Sequence, residues 1–264
     1  TATIQVEVVP VADVNAITLP RFTKFTARAN NTAWSFYTTD DIAIQKNMQG
    51  RFISQIEITE GKLFTFRYDV DRNQPTFTIP NSRVDTSKLT VTVFDSQFVQ
   101  EGVEYRPIDN AVQLKSNSPQ YYLEEKQDGL YHITFGDGIV GKRVDPGQRV
   151  VVEYLAVQGP AANGAKQFTY GGSIPEVTVS VLQTVYPARD GAEKESTESV
   201  RLQAPSFFQQ QNRTVTAKDY EQIVPMILPS VRAATAWGGE QNDPPQFGRV
   251  FISALTESNT PITE

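Results

Sequence analysis

The run Gly136-Asp-Gly138-Ile-Val-Gly141-Lys142-Arg143 comes nearest, by residue type and spacing, to a site for chemistry. It satisfies G-x-G-x-x-G, and it satisfies G-x-x-x-x-G-K up to the final Ser or Thr. Both patterns cradle phosphate only when a helix starts at the loop, so that its first amides meet the anion. Here Val144-Asp-Pro146-Gly147 follows and then a β-branched run, so no helix can begin. Arg143 also stands where a magnesium-binding hydroxyl belongs. The stretch reads as a glycine turn between two strands. Asp69-Val-Asp71-Arg-Asn73 opens like a calcium loop, but Gln74 takes the place of its glycine and Pro80 that of its bidentate glutamate. A solvated hairpin turn is the better reading. His132 is the only imidazole, lies mid-strand and has no G-x-S-x-G elbow to serve. Asp40-Asp41 and Glu124-Glu125 are adjacent pairs, whose members point to opposite faces of a strand and cannot share a glycosidic bond. No catalytic, cofactor-binding or metal-binding residue is assigned, and the chain is expected not to be an enzyme.

Composition narrows the classes further. With 24 basic against 30 acidic side chains, net charge −6 and a pI near 5.0, the chain lacks the basic face that nucleic-acid binding uses. No apolar run approaches the roughly 18 residues of a membrane span. The absence of cysteine removes disulfides, thiolate catalysis and Cys-containing zinc sites. The chain opens on Thr1 and closes on Thr-Pro-Ile-Thr-Glu264, and reads as a piece of a longer protein.

The elements that must position these residues follow from periodicity. Through about Tyr186 the dominant period is two: Ile4, Val6 and Val8; Phe64, Phe66 and Tyr68; Leu89, Val91 and Val93; Val177, Val179 and Val181. Turn signals such as Asp128-Gly129 and Asp145-Pro-Gly147 separate them, which predicts antiparallel hairpins. The aromatic residues fall mostly on strand positions and read as core. After about Asp190 the pattern changes. Residues 193–203 are rich in helix formers, with Pro205 expected to end or bend the helix. Thr216 and Asp219 make a capping-box variant before a helix whose shared face is Tyr220, Ile223, Val224 and Ile227; Pro225 should kink it and Pro229 close it. Val231–Trp237 and Arg249–Leu255 read as strands around a Gly/Asn/Pro loop. The expected class is α+β: a mainly antiparallel β part over 1–186, then a smaller α/β part over 187–264 with two helices and two strands, cut short at its C-terminal end.

Three stretches together resemble the baseplate J-like family and, within it, the wedge subunits of T-even-type contractile-tailed phages. The first is Leu19-Pro20-Arg21-Phe22-Thr-Lys-Phe25 with the later Tyr37-Thr-Thr39, similar to an N-terminal hairpin written around "I-P-x-G-T-x-F" and "Y-T-T". Arg21-Phe22 stands where Gly-Thr is common. The second is Ile133-Thr-Phe135-Gly136-Asp137-Gly138-Ile-Val-Gly141, Pro146-Gly147 and the strand to Tyr154, the family's most recognisable signature. The third is Asn212-Arg213-Thr-Val-Thr216-Ala-Lys-Asp219-Tyr220, then Trp237-Gly-Gly239 and Asn242-Asp-Pro-Pro245.

The resemblance implies a structural protein of the virion tail baseplate, assembled in the host cytoplasm, that connects wedges around a central hub. Its partners would be a second copy of itself, as a homodimer within a ring, and other wedge proteins, with no nucleic acid, membrane, small-molecule substrate or cofactor. The signature residues Phe135, Gly136, Asp137, Gly138, Gly141, Pro146 and Gly147 would be structural turn formers. Arg213, Asp219, Tyr220 and Trp237 are the candidate interface residues; Arg201 and the Gln209–Asn212 run suit either a partner surface or a solvated helix end. Residues from 187 onward are expected to supply much of the self-association. A carbohydrate-binding or adhesin module of a tail fibre, and a glycan-degrading enzyme with convergent carboxylates, stay open as alternatives.

Overall fold

A computed structural model describes residues 1–71, 76–108, 115–210, 213–228 and 231–256. Arg72-Asn73-Gln74-Pro75 of the calcium-like run, part of the Gln209–Asn212 run and Pro229 fall outside them. The described chain divides into two compact units, one of residues 1–158 with 164–188 and one of 159–163 with 189–264.

In the first unit the period-two stretches become strands. β1 (Ala2–Pro10), β3 (Lys24–Ala29), β4 (Thr32–Tyr37), β6 (Phe52–Glu60), β14 (Phe168–Tyr170) and β15 (Val177–Tyr186) form a six-stranded sheet in the order β14-β3-β4-β6-β1-β15. Ile4, Val6, Val8, Phe25, Phe36 and Ile58 are its buried alternates. β2 (Ala16–Leu19) pairs with β5 (Ile42–Gln45) as a separate ribbon. The second sheet has seven strands: β7 (Lys62–Asp69), β8 (Thr76–Ile79), β9 (Thr90–Phe94), β10 (Val103–Pro107), β11 (Gln120–Glu125), β12 (Tyr131–Phe135) and β13 (Arg149–Ala156), ordered β7-β13-β9-β10-β11-β12-β8. Its inward residues, among them Phe77, Val91, Tyr105, Tyr121, Ile133, Val152 and Tyr154, make one core. The Tyr68 hydroxyl on one edge strand donates to the Thr78 carbonyl on the other, so the sheet curls almost into a barrel. The aromatic rings inside pair edge-on, Tyr105 with Phe135 at 5.3 Å and Phe77 with Phe135 at 5.6 Å.

Seventeen strands and two α-helices among the described residues are compatible with α+β, but the fold is predominantly β, and the near-closure of its sheet goes beyond the expected hairpins. The antiparallel rule also breaks once. β10 and β11 run parallel, with Arg106 opposite Gln120 and Pro107 opposite Tyr121, because a long connection, not a tight turn, carries the chain back to the same end.

The N-terminal turn explains why Pro20–Thr23 and Tyr37-Thr38 occur together. Thr38 is fully buried; its hydroxyl accepts from the Thr23 amide at 2.9 Å and donates to the Pro20 carbonyl at 2.9 Å. Phe22 sits between them at φ 61°, a left-handed conformation that favours glycine. Phe22 thus holds a left-handed turn position without being glycine, held there by the Thr38 bonds on either side.

The second unit holds α1 (Thr197–Gln210), α2 (Ala217–Ile227), β16 (Val231–Gly238) and β17 (Val250–Thr256), the strands pairing antiparallel. Pro205 does not end α1 but lies inside it. Proline removes one donor, and the carbonyl it orphans, that of Arg201, is on an exposed residue where water can meet it. Thr216 caps α2 through the expected box, with Asp219 as its partner. Tyr220, Ile223 and Val224 are half-buried, but Ile227 at the helix end is 67% exposed, so the shared face stops one turn early.

Two tyrosines in the seven-stranded core link fold to pH. Burial, first of all, raises the Tyr105 hydroxyl to about 12, with Asp145 and Asp95 adding to it, and burial beside Glu104 raises Tyr121 to about 12. Both folded values exceed the unfolded value of about 10. Their contribution to stability is therefore complete below pH ~10 and lost as pH climbs toward ~12, at about 1.4 kcal/mol per pH unit for each. Denaturant titrations from pH 9 to 12 should show that fall. Tyr105→Phe should reduce it and, because the hydroxyl finds no hydrogen-bond partner among the described residues, leave neutral-pH stability equal or higher by up to about 1 kcal/mol.

Candidate functional site

The glycine signature is a clamp at one end of the seven-stranded sheet. β12 ends at Phe135, and Gly136 passes so close to Val140 and Gly141 that a Cβ there would collide with their backbone. Asp137 folds its carboxylate onto the turn, accepting from the Ile139 and Val140 amides at 2.8 Å each. Those amides hold its pKa below the ordinary carboxylate value. Gly138 and Gly141 take φ 90° and 81°, and the Gly138 amide donates to the Gly141 carbonyl. The turn then grips its neighbours. Gly141 and Lys142 amides donate to the Lys115 and Ser118 carbonyls, at 3.2 and 2.8 Å. The Gly147 amide donates to the Val70 carbonyl at the end of β7, at 3.1 Å. The Gln148 side chain bridges the Asp145 amide to the Asp95 carboxylate, at 2.8 and 2.9 Å.

A cavity of about 500 Å³ lies beside this clamp, lined by Val70, Phe77, Phe135, Asp137, Arg143 and Pro146, among others. Arg143 turns its guanidinium to Asp145, with Nε at 2.8 Å, and no helix begins within 142–148. The loop thus lacks the helical amides of a phosphate cradle, and its cation is matched by its own aspartate. His132 is half-buried in β12, opposite Glu124 and 3.4 Å by Nδ1 from the Thr78 hydroxyl. Glu124 itself pairs with Lys126, which lowers its pKa. Asp69 pairs with Arg149 at 2.7 Å. The carboxylates singled out in the sequence have local structural partners, and among the described residues no three His, Asp or Glu side chains stand together as metal ligands would. Phe64 and Phe66 of β7 stack on Tyr154, whereas Phe98, Phe208 and Phe247 are exposed.

The structure also places the interface candidates. Asp219 closes the capping box, accepting from the Thr216 and Val215 amides at 2.8 and 3.1 Å, and these lower its pKa. Trp237 donates from Nε1 to the Asn242 side chain at 2.8 Å and stacks on Phe251 with centroids 6.0 Å apart. Tyr220 is half-buried on α2, and Arg213 is exposed near Asp219. Asp219 and Trp237 thus each make contacts within their own unit, and Arg213 lies near Asp219.

Sequence reasoning passed over a different set. Among the described residues of the second unit, only Ala162, Val231, Ala236 and Gly239 are buried. Leu202, Phe208, Val215, Ile227 and Phe247 are each at least two-thirds exposed, and Val250, Ile252 and Leu255 nearly half. A strand without charge, Val250-Phe-Ile-Ser-Ala-Leu-Thr256, was the available signal, because nothing in its sequence marks either face for water.

Family comparisons accord with this layout. The family described as baseplate wedge protein gp6, domain II, matches residues 1–61, ending at the Gly61 turn between the two sheets. Baseplate structural protein gp6, C-terminal domain I, matches 216–264, beginning at the α2 cap. The baseplate wedge protein gp6 of Enterobacteria phage T4 is 23% identical over 274 aligned positions, covering 94% of this chain and 40% of that protein. The chain thus spans about two-fifths of the curated relative. Among solved structures, the anti-feeding prophage (AFP) baseplate, determined by cryo-EM and 6-fold symmetrised, aligns over 88% of this chain and 43% of that one, at 8% identity and a TM-score of 0.26.

The clamp gives a graded expectation. Gly136→Ala forces a methyl into the backbone and should cost about 2–3 kcal/mol. Gly147→Ala, with open space around it but φ 95°, should cost about 1 kcal/mol. Urea titration of the two variants would check the order.

Proposed function

We propose that the chain, similar in sequence to the gp6 baseplate wedge proteins, is a structural segment of a contractile-tail baseplate in the virion. It works by contact and does no catalysis. Its N-terminal unit is a self-sufficient β scaffold, and its C-terminal unit joins this subunit to a second copy and to other wedge proteins around the hub. One observation carries the reading: the first unit packs two sheets with buried interiors, whereas most of the large apolar side chains described in the second lie largely in solvent. Apolar area of that kind on a small unit marks an interaction site. Arg213 and Tyr220, beside that surface in sequence, would contribute at its rim.

Sedimentation velocity over a wide concentration range is the test. The chain should self-associate as concentration rises, and a form ending after Ala188 should stay monomeric. A truncated form that associates as well as the parent would place the contact in the first unit and overturn the division of labour.

A further inference from the structure

Asn163-Gly164 is the one Asn-Gly step in the chain. Asparagine before glycine is the dipeptide most open to deamidation, because no side chain on the second residue keeps its amide nitrogen from the asparagine Cγ. Both residues are exposed, and a Cβ on Gly164 would meet nothing within 4 Å, so no neighbour crowds the reacting step. What restrains it is a clasp. The Asn163 side chain donates from Nδ2 to the Gly191 carbonyl at 2.9 Å and accepts the Gly191 amide on Oδ1 at 3.0 Å. The Gly164 amide, whose nitrogen would be the nucleophile, already donates to the Ala188 carbonyl at 2.7 Å. The clasped segment is also strained. Asp190, next to Gly191, sits at φ 64°, a left-handed conformation that is costly for a residue with a Cβ.

We propose that Asn163 is a latched deamidation site, protected while the clasp is closed and converted irreversibly once it opens. In the open state the Gly164 nitrogen attacks Asn163 Cγ, the Cγ–Nδ2 bond breaks, and ammonia leaves with the proton of the attacking nitrogen. Water then opens the cyclic imide at either carbonyl, to aspartate or to isoaspartate. One water enters, one ammonia leaves, and nothing is oxidised. Neither product rebuilds the clasp. Aspartate has no N–H for the Gly191 carbonyl and sets a carboxylate against that oxygen. Isoaspartate routes the backbone through the former side chain and lengthens it by one atom. The new charge is unfavourable too, because Asp190 and Glu193 belong to the clasped segment and the Glu193 carboxylate lies 2.8 Å from where a Cβ on Gly159 would stand. Residues 189–193 are thereby released from the 159–163 loop, and Asp190 is free to relax.

The test uses the full chain, incubated at mildly alkaline pH, digested with trypsin and read by mass spectrometry. The peptide Val150–Lys166 has Asn163 as its only asparagine, so amide-to-acid conversion there reports one site. The folded chain should convert at least roughly tenfold more slowly than the same chain in urea, since reaction waits on local opening. Gly191→Ala puts a Cβ 2.5 Å from the Gly159 carbonyl oxygen and 2.8 Å from Asn163 Oδ1. It should keep the circular-dichroism spectrum and close most of that gap. Asn163→Asp, which carries one product from the start, should be cut by subtilisin within residues 189–196 several-fold faster than the parent. A folded parent that converts as fast as the chain in urea, or a folded Gly191→Ala that converts as slowly as the parent, would overturn the latch. Equal resistance of Asn163→Asp and the parent to subtilisin would overturn the release. The comparison with urea and the Asn163→Asp digest decide the matter even if Gly191→Ala does not fold.

Discussion

A β-strand leaves a row of N–H and C=O groups unpaired on each side until something covers it, and the chain meets this requirement in three ways. The seven-stranded sheet curls until its edge strands are joined by the Tyr68 hydroxyl on the Thr78 carbonyl. The six-stranded sheet brings its own edge strands, β14 and β15, into contact. In the C-terminal ribbon, a glutamate on a helix covers one edge and nothing among the described residues covers the other. The first two solutions give buried cores; the third leaves Val250, Ile252 and Leu255 half in water.

The glycine signature gains its meaning from the same requirement. A sheet curled that far needs the loops at its end drawn in, and Gly136 and Gly141 allow two backbone segments to approach more closely than any side chain permits. Amides at 141, 142 and 147, with the Gln148 side chain, then tie the turn to three neighbouring stretches. A motif that imitates a phosphate loop in one dimension is here a fastening between strands.

Much of the scaffold was legible because burial on one face writes itself into a strand as period two: Ile4, Val6 and Val8 are each at most 1% exposed. The capping box at Thr216 was legible for the same local reason, both partners lying within one turn. What escaped was long-range. The parallel β10–β11 pair depends on where a connection returns the chain, and Phe22 shows a glycine-type turn without a glycine. Side-chain partners were the hardest to read. Trp237 and Asp219 suit a contact surface by residue type, and in the fold each also bonds within its own unit, Trp237 to Asn242 and Asp219 to the Thr216 amide.

Hydrogen–deuterium exchange on the intact chain, followed at low and high protein concentration, tests most directly the claim that the two units differ in self-sufficiency. The account predicts slow exchange in the strands of 1–188 at both concentrations, and exchange in 231–256 that is fast when dilute and slows on concentration. Equal and concentration-independent protection across both units would contradict it.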